Sequence, residues 1–385
     1  MSELALSSWE AWWASNLPAP TRREQAPVLP SRDEVLELLG RLGVGEQDRS
    51  DVAATLPTNA DQERLELVSR ASAQIVACLG DSAYSHGFPE WVGALPLEKR
   101  CFGVHVFVTA VPYTLSWHEA HGIAPEVTWA SLGDLARHMA IHRRVYGSTG
   151  VDNAWWLTLL LRGELFELGR LQFNWFRLGE GDQSPRWYAP AEAGRRGRGF
   201  RDGDFCAGVH IPESGPLTPR ECDDSLSAAA QLLPDLLGLD PGRHRLLATC
   251  ASWLLDDQLG AYLSKESNIM AFQSRFELVP GWSDDDFSPL AFVFRRPPGE
   301  LADPGGLPKD TTLQRALVAH LAGGGHLRER TGWLDLAGPV AERGRGRPSR
   351  QAARAVQPGA PPDSCGSPST GAPASEGVFT SSPPM

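Results

Sequence analysis

The chain has 385 residues and 42% hydrophobic content, enough for two domains of ordinary size with a sizeable buried core. A formal net charge of -11 excludes a global basic footprint for nucleic acid, and only 3 of the 36 basic residues are lysine. The N-terminal MSELALSSWEAWW lacks the basic and apolar regions of a secretory signal, no apolar run reaches the ~18 residues of a membrane helix, and the 6 cysteines form no CxxC pair, so a cytoplasmic protein without a membrane partner is expected.

Residues 1–150 read mainly as helix. Ser8 to Trp13 begins a short helix that Pro18 stops. Ser31 is a good N-cap with Glu34 placed to close a capping box, and Val35, Leu36, Leu38 and Leu39 supply the apolar stripe. Thr58 or Asn59 is expected to cap a helix through Leu65, Leu67, Val68, Ile75 and Val76, and Ser131–Tyr146 is expected to form another. No strand alternation stands out in this half. The 13 tryptophans concentrate before residue 190, which fits a Trp-rich core or a large apolar site.

After Gly150 the pattern changes. A helix is expected over Asn153–Glu164, followed by Leu165–Phe176, which alternates as a strand or a glycine-broken hairpin. A polar loop leads to a strand at Phe205–Pro212. Thr218-Pro219-Arg220-Glu221 then opens a helix to Leu237 with a capping box and proline in its first turn. Arg245–Leu255 reads as a second strand, Asp256–Leu263 as a short helix, and Ser267–Arg275 as a helical turn capped by Ser267. Phe276–Pro280 and Ala291–Arg296 read as strands, and Thr311–Leu321 as a last helix. The expected class is α/β, a mixed sheet whose central strand–helix–strand unit is a right-handed parallel crossover. Residues 338–385 are too rich in Pro, Gly, Ser, Ala and Arg to bury against a core and read as a disordered tail.

Ligands of open α/β sheets sit beyond the carboxyl ends of parallel strands. Here those ends are His210-Ile211-Pro212 and Ser252-Trp253-Leu254. The loop with Ser214 and Gly215 leads to a helix start at Thr218, where free backbone N–H groups suit an anion. Val209, Ile211, Ser214, Gly215, Thr218, Ser252 and Trp253 are therefore the candidate cofactor contacts. His210, between Val209 and Ile211, reads either as a packed structural histidine or as a base near neutral pKa that takes a proton from an attacking amine. Glu213 is the alternative base. No GxSxG elbow accompanies Cys250 or Ser252, although His210 is a candidate neighbour for both across the sheet. His118 with His121, and His138 with His142, lack a metal signature and read as helix-surface or domain contacts, so no metal is expected.

Several runs resemble one family: ELGRLQFNWF (167–176), VHIPESGPLTP (209–219), CASWLLDDQLGAYL (250–263), SNIMAFQSRFELVP (267–280), TTLQRALVAHL (311–321) and TGWLDL (331–336), with APTRREQAPVLP (19–30) ahead of them. They are similar to actinobacterial proteins with an N-acyltransferase N-terminal domain and a GNAT-like C-terminal domain. The best understood relatives are the N-acyltransferases of glycopeptide-antibiotic biosynthesis. The resemblance covers about residues 8–336. It implies a helical domain at 1–150, a GNAT-like domain at 151–337, and acyl-CoA as co-substrate. It also implies direct transfer to a small-molecule amine, an amino sugar among the options, with His210 as base. In a GNAT fold two parallel strands splay to admit the pantetheine arm, which would be 205–212 and 245–255, with a backbone N–H near Ala207–Val209 polarising the thioester. ESGPLTP stands where such proteins carry a Q/R-x-x-G-x-G/A phosphate loop. Ser267 and Asn268 are positional candidates for the general acid. A non-catalytic CoA-binding module and an acyl-CoA thioesterase are the alternatives, and the sequence does not give the oligomeric state.

Overall fold

A computed structural model describes residues 27–82, 95–178, 202–240, 246–295 and 304–336. The expected helix at Ser8–Trp13, most of the polar loop before Phe205 and the tail lie outside the described residues.

The first half is helical, as read. Its helices are α1 (Arg32–Arg41), α2 (Glu46–Ala54), α3 (Gln62–Ala77), α4 (Leu97–Arg100), α5 (Phe102–Ala120), α6 (Pro125–Leu132), α7 (Asp134–Tyr146) and α8 (Ala154–Leu161). The Ser31–Glu34 capping box starts α1. Asp61, rather than Thr58 or Asn59, caps α3: its carboxylate accepts the Arg64 N–H and also pairs with the Arg64 guanidinium. The expected helix at Ser131–Tyr146 is split, because Gly133 ends α6 and starts α7. Helix α5 is apolar nearly all round, the signature of a buried helix. It forms one core with Val68 and Ile75 of α3, Leu135 and Met139 of α7, and Leu159 and Leu160 of α8.

The second half is built on a seven-stranded mixed sheet in the order β1-β2-β3-β4-β7-β5, with β6 beside β7. The strands are β1 (Leu165–Leu168), β2 (Leu171–Arg177), β3 (Phe205–His210), β4 (Leu247–Ser252), β5 (Glu277–Leu278), β6 (Ser283–Asp284) and β7 (Arg328–Asp335). The helices are α9 (Pro219–Leu236), α10 (Asn268–Gln273), α11 (Phe287–Phe294) and α12 (Thr312–Ala322), with short 3₁₀ turns at Trp253–Leu255 and Asp257–Ala261. The glycine-broken hairpin is present: Gly169 turns at φ +81°, and Ser225 of α9 accepts both Arg170 and Leu171 N–H. Strands β3 and β4 are parallel and joined through α9.

Two readings are corrected. Ala291–Arg296 is not a strand: α11 runs to Phe294, and Arg295 ends it in the left-handed region. Strand β7, absent from the sequence reading, pairs with β4 from Leu247↔Asp335 to Ser252↔Arg330. Its polar RERTG start hides the alternation that Trp333 and Leu334 complete.

The register divides the sheet into two faces. Gln172, Asn174 and Phe176 share one face with Cys206, Gly208 and His210. The other face presents Leu171, Phe173, Ala207, Val209, Ala248 and Cys250 to Cys222, Ala229 and Leu233 of α9. Near β1–β3 the first face is met by the helical half, through Leu165, which belongs to the helical core, and through Arg137 and Trp156.

Candidate functional site

The pairing between the central parallel strands ends before the strands do. The β3–β4 ladder holds through Cys206↔Leu247, Ala207↔Ala248 and Gly208↔Thr249, then stops. Strand β3 continues to His210, paired only with β2, and β4 continues to Ser252, paired only with β7. The facing edges at 209–210 and 250–252 therefore share no ladder bonds. Two consequences follow. The backbone groups on these edges are not used to join β3 to β4, and His210 is not a paired neighbour of Cys250 or Ser252.

His210 ends β3 on the face turned to the helical half and is half-buried. Its Nε2 lies 2.7 Å from Asn174 Oδ1, and its Nδ1 has no hydrogen-bond partner. A donor Nε2–H leaves the Nδ1 lone pair free. Trp156 of α8 stands edge-on to the imidazole, ring centres 4.5 Å apart. Burial drives the ring's pKa down to about 3, and the negative charge of Asp134 opposes this only in part. The imidazole is thus neutral at any ordinary pH: burial makes it a weaker base than a free imidazole and makes its protonated form quick to give the proton up.

Asn174 is 1% exposed, and its Nδ2 is buried without a partner. An unmet buried donor costs about 1–3 kcal/mol, so its retention needs a reason. Its amide lies over Gly208, where an added Cβ would be 2.1 Å from Oδ1 and 3.0 Å from His210 Nε2. Only glycine leaves this space. Behind Trp156, its indole N–H donates to Asp134 Oδ2 at 3.1 Å. Asp134 is also bonded to Arg137, which reaches Glu167 at 2.8 Å. Gln172 Nε2 donates to the same Glu167 oxygen at 3.2 Å. Burial resists the charge on His138, but Asp134 and Asp152 lift it to about 9. Burial likewise resists ionisation of Asp134, yet His138 and Arg137 hold it down to about 2. This charged set fixes the indole that backs the imidazole.

The other sequence candidates are placed as follows. Glu213 is exposed and bridges Arg144 at 3.0 Å and Arg295, so its oxygens are occupied by guanidinium groups. Val209 is buried on the α9 face, and Ile211 packs partly against the same cluster. Ser214 and Gly215 are exposed, and Arg170 grips the backbone carbonyls of Pro212, Pro216 and Gly215. Thr218 caps α9 and receives the Glu221 N–H, while Pro219 has no N–H to give. The anion-ready donors at this helix start are therefore few, and the Glu221 carboxylate sits among them. Ser252 is buried and caps the 3₁₀ turn through Leu254 N–H, and Trp253 belongs to a core cluster with Leu259, Leu317 and Leu327. Ser267 caps α10 by accepting the Met270 N–H, and Asn268 opens that helix. Neither hydrogen-bonds to His210. Cys250 is buried on the α9 face, and burial pushes its thiol pKa up, away from a thiolate.

Of the helix-surface or domain-contact reading of the other histidines, the surface alternative is corrected for three of them, and the His118 ring meets Phe166 of β1, ring centres 5.5 Å apart. His118 is buried and bonded to Thr128 at 2.9 Å, His142 is buried against the Ser148 carbonyl at 2.9 Å, and His138 is buried between Asp134 and Asp152. His121 is exposed and stacks on Trp117. Among the described residues no three His, Cys, Asp or Glu side chains converge as metal ligands. No helix among them is long and apolar enough to cross a membrane.

Asn174, Gly208 and Asp134 were not singled out from the sequence. The signal for Asn174 was present: in LQFNWF, Gln172 and Asn174 are the polar members of an otherwise apolar alternation.

Residues 33–163 match the N-acyltransferase N-terminal domain, and residues 165–334 match the GNAT-like C-terminal domain. Among solved structures, the chain is similar to an acyltransferase in complex with decanoyl-CoA and teicoplanin. The identity is 32% over 87% of this chain and 96% of that one, with a TM-score of 0.68. It is equally similar, at 32% identity and the same coverage, to an acyltransferase in complex with decanoyl-CoA (TM-score 0.69) and to a mutant acyltransferase in complex with octanoyl-CoA (TM-score 0.68). No curated protein sequence matches it.

Proposed function

The chain belongs to the family of N-acyltransferases that join an N-acyltransferase N-terminal domain to a GNAT-like C-terminal domain, and from that premise we propose that it moves an acyl group from acyl-CoA to an amine by direct attack. The pantetheine arm enters where the β3–β4 ladder ends and meets the backbone groups at 209–210 and 250–252 that the two strands do not share. The amine nitrogen attacks the thioester carbon, and its proton passes to Nδ1 of His210. A new C–N bond forms and the C–S bond breaks. The thiolate then recovers the proton from the imidazolium, which its low pKa makes a ready donor. No acyl-enzyme and no separate general acid are needed, so Ser267 and Asn268 are left as helix-start residues.

The observation that carries this reading is the position of His210: a neutral imidazole with a free lone pair, at the point where the parallel ladder opens. The acyl group is proposed to be of medium length and the acceptor an amino sugar of a glycopeptide, because the relatives are crystallised with octanoyl-CoA, decanoyl-CoA and teicoplanin. The division into a helical part (1–150), a GNAT-like part (151–337) and a tail (338–385) belongs to the same reading, as does a cytoplasmic setting. The test is product mass. Decanoyl-CoA with an aryl glucosaminide should give free CoA and an N-decanoyl amide. Free decanoic acid, with no amide, would mean that water is the acceptor and the enzyme a thioesterase.

A further inference from the structure

We infer that Asn174 is the second polar participant in acyl transfer: Oδ1 holds the His210 ring with its proton on Nε2, and Nδ2–H is the donor offered to the thioester oxygen. The inference rests on the acyl-transfer reading above. Three observations support it.

First, the Asn174–His210 contact is short, at 2.7 Å, and it is the one hydrogen bond of that imidazole. A partner of this kind selects the tautomer and the ring orientation, and here it leaves Nδ1 as the basic nitrogen.

Second, Asn174 is almost wholly buried, in the middle of β2, and its Nδ2 has no hydrogen-bond partner among the described residues. Buried donors are nearly always paired, so an orphan beside a reactive group marks a place where a ligand supplies the acceptor. The two orphan atoms are complementary to the reaction: Nδ1 accepts the proton lost by the amine, and Nδ2–H faces the oxygen that gains charge.

Third, the sheet is built to admit this side chain. Asn174 pairs with Gly208, and Gly208 is the last residue of β3 joined to β4. The amide oxygen lies over the missing side chain of that glycine, where an added Cβ would be 2.1 Å from Oδ1, so only glycine at 208 lets the amide sit here. The balance of the step is then complete. The amine nitrogen bonds to the carbonyl carbon, the oxygen's charge rests on Asn174 Nδ2–H, the proton moves to Nδ1, and it leaves with the CoA thiolate.

The decisive variant is Asn174→Asp. A carboxylate still accepts Nε2–H and makes the imidazole more basic, but it has no N–H for the oxygen. A residue that only positioned the ring would give Asn174→Asp an undiminished or faster rate. We expect instead a single-turnover rate on octanoyl-CoA and an aryl glucosaminide about 100-fold below wild type, the usual cost of one lost oxyanion donor, with octanoyl-CoA binding little changed. In nitrogen-15 NMR of histidine-labelled full-length protein, wild type and Asn174→Asp should both show the Nε2–H ring, and Asn174→Ala a mixture. A wild-type rate in Asn174→Asp, or an Nδ1–H ring in the wild type, overturns the inference. His210→Ala reports on the underlying reading separately: an undiminished rate there removes that reading and this one together. If Asn174→Ala fails to fold, the near-isosteric Asp variant and the wild-type spectrum still decide.

Discussion

His210 gains its character from what surrounds it rather than from its type. A solvent-exposed imidazole titrates near 6.5, whereas burial beside Trp156 takes this one to about 3. Hence kcat/KM for the amine should rise with pH along the amine's own deprotonation, with no inflection near 6.5. A limb at 6.5 that vanished in His210→Asn would show a solvated ring instead. Gly208→Ala should cost at least about 10-fold in rate, because a Cβ cannot coexist with the Asn174–His210 contact. Steady-state kinetics would check this, and an unaffected rate would mean the contact is dispensable. The sequence made His210 conspicuous as a polar residue near the end of an apolar strand. It did not make Asn174 equally visible, because its role depends on register: only the pairing of 174 with 208, and of 172 with 210, brings the two side chains to one face.

At the scale of elements, local signals were most legible where capping chemistry is strong. Ser31 with Glu34, Thr218 with Pro219, and Thr311 with Gln314 each start a helix where their side chains satisfy the first backbone donors. Ser31→Ala should lower stability by about 1 kcal/mol, measurable as a shift in the urea midpoint without loss of activity. Misreadings arose where tertiary contacts outvote pattern. The FSPLAFVF run is as apolar as a buried strand, yet Leu290 and Phe294 pack as one side of α11 against α12. Strand β7 begins with charged residues that hydrogen-bond and ion-pair across the fold, Arg328 N–H to Asp256 and Arg330 to Asp257, so nothing local announces it. Trp156 links the element scale to the site: α8 brings it to His210, and Asp134 of α7 holds its indole N–H. Trp156→Leu should shift preference among acyl-CoA chain lengths, read by competing octanoyl-CoA against decanoyl-CoA. Unchanged preference would place the acyl channel elsewhere.

Across the whole molecule, the proposed site lies where the helical half meets the sheet, so the contacts around it also hold the two halves together. The Arg137–Glu167 pair, the Trp156–His210 contact and the Arg144–Glu213 bridge all span the two halves. The buried histidines give that architecture a pH dependence. Burial lowers His105 and His118 to about 4, as it lowers His210 to about 3, so the unfolded chain binds more protons than the native one between those values and 6.5. Their contribution to stability should therefore fall as pH drops below 6.5, by roughly 2 kcal/mol per histidine at pH 5. His138, raised to about 9, contributes the opposite sign: its stabilisation is complete below 6.5 and is lost as pH rises toward 9. Glu164 and Glu329, which burial lifts to about 8 and about 7, also favour low pH, so the histidine effect is read by urea denaturation of His118→Asn beside the wild type: the variant should lose about 2 kcal/mol less stability between pH 7 and pH 5. Equal losses would contradict these burial assignments. The most direct measurement of the central claim is the mass of the product formed from decanoyl-CoA and an aryl glucosaminide by wild type and by His210→Ala, with CoA release followed alongside. An N-decanoyl amide made by the wild type, and slowed at least about 100-fold in the variant while decanoyl-CoA still binds, is the predicted result. Equal amide formation by both proteins would contradict it.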